Sequence, residues 1–191
     1  MTPFKARRRG GMVAVFDPAE AGVIANLASQ VIELLRDRNG DHVADVDPLM
    51  GEFGMHGPTQ PPEDPVLRRL LPDAYRDNTD DAGEFRRFTE SALTSAKVAN
   101  AETVLATLAD GGLDPLEPSE DPVEIELSPD QVQAWLRSLT DIRLSLAVRL
   151  GIETEEDVML LESSSDPAVV AMGELYDWLG YVQETLVQAL S

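Results

Sequence analysis

The sequence contains no cysteine, few aromatic residues and no long apolar run, and each absence excludes a class of protein. Without cysteine, the chain of 191 residues forms no disulfide, zinc–thiolate site or thiol redox centre. Aromatic residues make up 5% of the chain. Leucine, valine, isoleucine and alanine must therefore fill most of the core, which favours packed helices over a large β-sandwich. No apolar run approaches the roughly 18 residues that a membrane span requires.

Basic residues are also scarce, because 15 Lys and Arg stand against 35 Asp and Glu, for a net charge of −20. Such a surface repels phosphate backbones and anionic membranes and suits a basic protein partner. The hydrophobic content of 43% is that of a globular protein. The first residues carry charge without the apolar stretch of a secretory signal, so we expect a cytoplasmic protein with no membrane association.

Hydrophobic periodicity and turn residues predict a mainly α fold, a helical bundle of about four long helices with a small three-stranded antiparallel sheet. Helices are predicted at residues 18–38, 65–74, 80–110, 129–150, 154–161 and 167–190. We expect a single domain over residues 1–191. A loop at about 39–64, rich in Gly, Pro and Asp, is long for a compact domain and is predicted to be mobile.

The predicted sheet combines an N-terminal hairpin with a strand at residues 123–127. The hairpin strands, at residues 4–9 and 12–16, flank two glycines that suit a two-residue turn. This pairing sets Arg9 opposite Met12 and places Lys5 and Arg7 on the face of Met12. The acidic face of the third strand would then meet these basic residues.

The helix predicted at residues 80–110 changes its apolar side along its length. The stripe in its first half consists of Phe85, Phe88, Ala92, Ala96 and Ala99. In the second half, Val104, Leu105 and Leu108 lie on another side. A helix buried on different faces along its length suits a central position in the bundle.

Arg143 falls in the middle of the apolar stripe of the helix at residues 129–150. A buried arginine needs a carboxylate or several carbonyl groups. Glu84, Glu90 and Glu102 on the long preceding helix are the candidate partners, and an ion pair that fixes helix register is the favoured interpretation. An anionic ligand or partner group held by Arg143 is the alternative.

The last helix is apolar around more than half of its circumference. Leu175, Trp178 and Val182 share one side of it, and this side is a candidate interface for a homodimer or another protein partner. Plain burial of the same side is the alternative.

Two further clusters are weaker candidates. Lys5, Arg7 and Arg9 form a basic run that would contact nucleic acid, but the charge of the rest of the chain makes direct binding doubtful. Residues 37–41 begin like a calcium loop, although His42 stands where that loop needs glycine. The cluster of possible metal or acid–base groups comprises His42, Asp45, Asp47, Glu52 and His56. A solvated loop explains these residues better, so we predict no metal, no cofactor and no catalytic residue.

Four segments resemble one family of proteins. They are PVLRRLLPDAYRD at residues 65–77, EFRRFTE at 84–90, WLRSLTDIRL at 135–144 and RLG at 149–151. Together with the opening hairpin and helix, they are similar to an actinobacterial domain-of-unknown-function family, number two-zero-one-seven. This AosR-like family includes proteins named as oxidative-stress transcriptional regulators. The resemblance implies a regulatory role through protein contacts or transcription control, but it cannot bring thiol sensing to a chain without cysteine.

These observations predict a non-enzymatic regulatory protein that acts through protein–protein contacts, as a homodimer. A basic partner such as part of the transcription machinery would suit its charge. The alternative is a small-molecule or metal-binding protein that uses Arg143 or the loop at residues 39–60.

Overall fold

A computed structural model describes residues 1–7, 11–43, 58–75, 78–116 and 119–191. Three strands lie in these ranges: β1 (Thr2–Ala6), β2 (Met12–Phe16) and β3 (Val123–Leu127). The same ranges contain six helices: α1 (Pro18–Val43), α2 (Pro65–Leu70), α3 (Thr79–Asp110), α4 (Pro129–Leu150), α5 (Glu155–Glu162) and α6 (Pro167–Gln188). The prediction of a mainly α fold with a small antiparallel sheet is confirmed. No helix in the described ranges is long and apolar enough to cross a membrane.

Local sequence explains where several helices begin and end. The Asp64 side chain accepts hydrogen bonds from the backbone N–H groups of Val66 and Leu67, which starts α2. Ser128 and Gln131 form a capping box at the start of α4, and Gly151 ends that helix in the left-handed region with φ of 69°. The start and the end of α4 lie close to their predicted positions, because these capping signals involve neighbouring residues.

Two predicted helix ends were wrong. α1 continues to Val43, so the Asn39–Gly40 pair does not end it, and residues 39–43 belong to the helix and not to the predicted loop. α2 ends at Leu70, four residues earlier than predicted. Leu71 precedes Pro72, and the proline ring disfavours the helical conformation of the residue before it. Residues 44–57 of the predicted mobile loop lie outside the described residues.

The three strands are ordered β1-β2-β3, and both pairs are antiparallel. Ala6 pairs with Met12, so the predicted pairing of Arg9 with Met12 was wrong. Lys5 pairs with Val13 and lies on the opposite face from Met12, also against the prediction. Phe4 lies two residues from Ala6, so it shares the buried side of the sheet with Met12.

One hydrophobic cluster joins the sheet to α1, α2, α3, α4 and α6. At its centre, the fully buried Trp135 ring stacks on Phe16 with ring centroids 6.0 Å apart and contacts the edge of Phe4. The indole N–H of Trp135 donates to Thr107 Oγ1 at 2.9 Å, which satisfies its one polar group. α4 therefore lies in the middle of the fold, between α3 and α6.

The first half of α3 packs with the side opposite to the predicted one. Its predicted core stripe is exposed to solvent, and the members are Phe85, Phe88, Ala92, Ala96 and Ala99. The buried side of this half consists mainly of polar and small residues, including Arg86, Glu90 and Thr94. Further along, Ala101, Val104 and Leu108 are buried, as an ordinary apolar face would be. The helix is therefore held by charge at one end and by apolar packing at the other.

Substitution of Gly11 tests the backbone geometry next to β2, and substitution of Gly22 in α1 provides the control. Gly11 has φ of 82°, and an added Cβ would lie 2.3 Å from the Leu127 carbonyl oxygen. We expect Gly11→Ala to lower the free energy of unfolding by about 2 kcal/mol or more. Gly22→Ala is the matched control, because its Cβ meets nothing within 4 Å in α1. This control should raise the free energy of unfolding by about 0.5–1 kcal/mol. Urea denaturation measures both values, and equal effects would contradict the geometry.

Candidate functional site

Glu90 lies buried between two arginine side chains from different helices. Arg38 of α1 donates from Nε to one carboxylate oxygen of Glu90 at 3.0 Å. Arg86, one turn before Glu90 on α3, donates to the other oxygen. The Glu90 and Arg86 side chains are 3% and 5% exposed. A carboxylate so deeply buried is stable only because both of its oxygens are paired.

The same two arginines hold the segment that precedes α3. Arg86 contacts the Asp73 carboxylate, and its Nη1 donates to the Leu71 carbonyl oxygen at 3.3 Å. Arg38 donates from Nη2 to the Gln60 carbonyl oxygen at 2.8 Å. Burial lowers the pKa of Arg86, but its hydrogen bonds to Asp73 and Glu90 outweigh burial and raise the pKa. The guanidinium therefore stays charged and ties this segment to α3.

A second buried ion pair joins α3 to α4. Lys97 Nζ lies 2.5 Å from Asp141 Oδ1, and both side chains are largely removed from solvent. Burial raises the pKa of Asp141 above its ordinary value, although the hydrogen bond and charge of Lys97 act in the opposite direction. The pair fixes the register of the two helices, at a cost for keeping the carboxylate ionised.

The structure does not pair Arg143 with Glu84, Glu90 or Glu102. Arg143 donates from Nη1 to Gln183 Oε1 at 3.0 Å, and its guanidinium carbon lies 4.8 Å from the centre of the Tyr176 ring. The described residues give it no carboxylate partner. The proposed ion pair was therefore wrong, because α6 covers Arg143 on the side where α3 was expected.

The two other glutamates lie elsewhere on α3. Glu102 forms an exposed ion pair with Arg36 of α1. Glu84 is exposed and lines an open cleft of about 500 Å³ between residues 59–61 and the first turns of α3. Arg87 also lines this cleft, and its guanidinium carbon lies 4.9 Å from the centre of the Phe88 ring.

The predicted interface side of the last helix faces inward. Val182 is fully buried in the hydrophobic cluster, and Leu175 and Trp178 are half-buried against it. The outer side of α6 instead presents Glu174, Asp177, Tyr181 and Glu184, all of them exposed. Because α6 contains no basic residue, this outer side is a continuous acidic face.

The basic run and the possible metal cluster are placed only in part. Lys5 is exposed, and Arg7 forms an exposed ion pair with Glu126, whereas Arg9 lies outside the described residues. His42 belongs to α1, and the other members of its cluster, Asp45, Asp47, Glu52 and His56, lie outside the described residues. The described ranges contain no group of three or more residues arranged to hold a metal ion.

Sequence reasoning missed the residues that organise the interior. Glu90 was named only as a candidate partner of Arg143, and Arg38 and Arg86 were not considered as its partners. One signal was available, since Arg86 and Glu90 are spaced i,i+4 and a charged pair at that spacing shares one side of a helix. No comparable signal connects Lys97 to Asp141, which are 44 residues apart.

Comparison with known proteins extends over nearly the whole chain. A family model described as a domain of unknown function, DUF2017, matches residues 1–190. The Mycobacterium tuberculosis protein named oxidative stress regulator AosR is 32% identical over 187 residues, which cover 91% of this chain and 79% of that protein. A Mycobacterium leprae protein that carries the AosR name is 31% identical over 191 residues, with 93% and 81% coverage. No solved structure matches the chain.

Removing the charge of Glu90 should disrupt the interior. Glu90→Gln would leave the buried guanidinium groups of Arg38 and Arg86 without their shared carboxylate. We expect the free energy of unfolding to fall by about 3–5 kcal/mol. Glu84→Gln makes the same chemical change at an exposed position of α3 and should stay within about 0.5 kcal/mol of the wild type. Urea denaturation distinguishes the two, and a similar small loss in both variants would contradict the role of Glu90.

The raised pKa of Asp141 predicts that the contribution of this carboxyl to the free energy of unfolding falls as the pH rises. Because its pKa is raised above the ordinary 3.8, the folded state binds more protons than the unfolded state between 3.8 and the raised value. The contribution of this group to stability therefore falls as pH rises through that interval.

Asp141→Asn removes this titration. The free energy of unfolding of the variant, minus that of the wild type, should therefore rise as the pH rises from 3.8 toward 7. Denaturation across this range measures the difference, with Asp177→Asn as the exposed control. A difference that falls as the pH rises would show that Lys97 outweighs burial.

Proposed function

The chain belongs to the DUF2017 family of domains of unknown function, and we propose that it is a non-enzymatic regulator of the oxidative-stress response. It acts through contacts with a basic protein partner, such as part of the transcription machinery. The AosR relatives are named as oxidative stress regulators, which supports the regulatory part of the proposal.

The observation that carries the contact mechanism is the acidic outer face of α6. Glu174, Asp177 and Glu184 surround the half-exposed Tyr181, and no lysine or arginine of the same helix neutralises them. Tyrosine suits the centre of an interface because its ring buries apolar area while its hydroxyl keeps a polar partner. Acidic residues around it would attract a basic protein and speed its association.

Direct DNA binding is less well supported. The exposed Arg7 is already paired with Glu126, and a chain of net charge −20 repels the phosphate backbone. Because the sequence contains no cysteine, the oxidant signal would reach this chain through a partner or through exposed methionine, and not through a disulfide.

A genetic test uses matched charge reversals. The gene is deleted from its host, and transcripts are measured before and after peroxide treatment. We expect the deletion to alter the oxidant response and the wild-type gene to restore it. The variant Asp177→Lys/Glu184→Lys should fail to restore the response, because it reverses the acidic face. Glu33→Lys/Asp37→Lys changes the net charge equally on the exposed side of α1 and should restore it.

Three other outcomes of these experiments would contradict different parts of the proposal. An unaltered response in the deletion strain would overturn the regulatory proposal itself. Restoration by the Asp177→Lys/Glu184→Lys variant would show that the acidic face of α6 is not the contact. Loss of restoration with Lys5→Ala/Arg7→Ala, together with DNA binding by the purified chain that weakens steeply with salt, would favour direct DNA binding instead.

A further inference from the structure

The first half of α3 exposes an apolar stripe on the side that faces away from the protein interior. The stripe consists of Phe85, Phe88, Ala92, Ala96 and Ala99. Its two phenylalanines are 45% and 55% exposed, and Tyr75 extends the surface by contacting the edge of Phe85 with ring centroids 5.9 Å apart. A continuous apolar helix face of this kind marks a surface that another protein covers.

The stripe is free of exposed negative charge in a strongly acidic chain. From residue 85 to residue 101, all within a fully described helix, the one acidic residue is Glu90, and it is buried. The whole chain has a net charge of −20, which opposes the approach of a second copy at other parts of its surface. A second copy packed against this stretch of α3 would bring no carboxylates of residues 85–101 together.

The large and small side chains of the stripe are arranged so that the stripe of a second copy, packed antiparallel against it, is complementary in size. Phe88 and Ala96 lie four residues on either side of Ala92, and Phe85 and Ala99 lie seven residues on either side. An antiparallel copy of the helix, related by a two-fold axis through Ala92, therefore sets each phenylalanine against an alanine of the other copy. The exposed Ser91 and Ser95 beside the stripe are also small, so the two helices can approach closely.

We propose that the chain forms a two-fold homodimer in which α3 packs antiparallel against α3 of a second copy, with Ala92 at the axis. This interface is isologous, since the same surface of both copies takes part. It does not depend on the proposed regulatory function, and it leaves the acidic face of α6 available to another partner. It also replaces the interface predicted on the last helix, where Val182 is fully buried.

The proposed contact is small, and its strength should depend on salt. The stripe spans about 15 residues, or roughly 22 Å of helix. A contact of this length buries on the order of 1,000 Å² in total, at the lower edge of specific interfaces. The dimer should therefore dissociate on dilution within the micromolar range. Because two chains of like charge repel each other, added salt should strengthen the dimer, whereas it weakens an association driven by opposite charges.

The first test is the solution mass of the purified chain, measured by light scattering and sedimentation over a series of concentrations and salt levels. The wild type should approach twice the chain mass at high concentration. Phe88→Glu should weaken association roughly a hundredfold or more, because each dimer contains two copies of the changed residue. Val187→Glu alters an equally exposed apolar residue of α6 and should dimerise as the wild type does. Circular dichroism checks that each variant is folded.

Exchange of a phenylalanine and an alanine tests the register. Phe88→Ala should weaken the dimer by removing the large residue, and Ala96→Phe should weaken it because Phe88 of the other copy then meets a second ring. The double variant Phe88→Ala/Ala96→Phe restores one large and one small residue at each contact. It should recover a dimer at least tenfold stronger than either single variant.

Cross-linking gives a separate measurement, because the chain has no cysteine of its own. Ala92→Cys places a single thiol at the proposed axis, and mild oxidation should give a covalent dimer. Ala171→Cys, on the exposed side of α6, should not cross-link at the same concentration. A wild type that stays monomeric at every concentration would overturn the proposal. A dimer that Phe88→Glu leaves intact, or that the double variant fails to restore, would do the same.

Discussion

The structure depends on the need of one buried carboxylate for two arginines. Glu90 has almost no access to solvent that would stabilise its charge, so Arg38 and Arg86 must lie on either side of it. Because Arg38 belongs to α1 and Arg86 also holds Leu71 and Asp73, this requirement fixes α1, the segment before α3 and α3 itself with respect to one another. Glu90 and Arg86 share one side of α3, and this side must therefore face inward.

The orientation of α3 has a direct consequence for the surface. With the charged side inside, the side carrying Phe85, Phe88 and Ala92 is turned toward solvent. The second half of the same helix obeys the usual rule, with Val104 and Leu108 against the core that contains Trp135. Lys97 lies between the two halves of α3. Its ion pair with Asp141 joins α3 to α4 where the packing of α3 changes from polar to apolar. The exposed stripe is thus a product of interior electrostatics and not of an incomplete core.

The fold exposes two different surfaces, and we propose a different partner for each. The α3 stripe has apolar side chains, no exposed carboxylate and a self-complementary pattern of sizes, which suit an identical chain. The outer face of α6 carries carboxylates around Tyr181, which suit a basic partner of another kind. A dimer formed through α3 would display two such acidic faces, so a partner with two basic sites would bind more tightly than a partner with one. This division agrees with a family whose relatives are named as regulators and with a sequence that contains no thiol for sensing.

Features that depend on neighbouring residues could be predicted from the amino-acid sequence alone. The capping box at Ser128, the termination at Gly151 and the alternation of residues 123–127 predicted α4 and β3 closely, because each signal acts within one or two turns or along one strand. The composition likewise determined the net charge and the absence of thiol chemistry. Long-range packing sets the pairing of Ala6 with Met12, the burial of Val182 and the partners of Arg143, so these features emerged only in the folded protein. Helical periodicity showed that α3 has an apolar side and a charged side, but it could not show which side is buried. That choice depends on Arg38 and Asp73, which are distant from Glu90 in sequence and meet its network only when the chain folds.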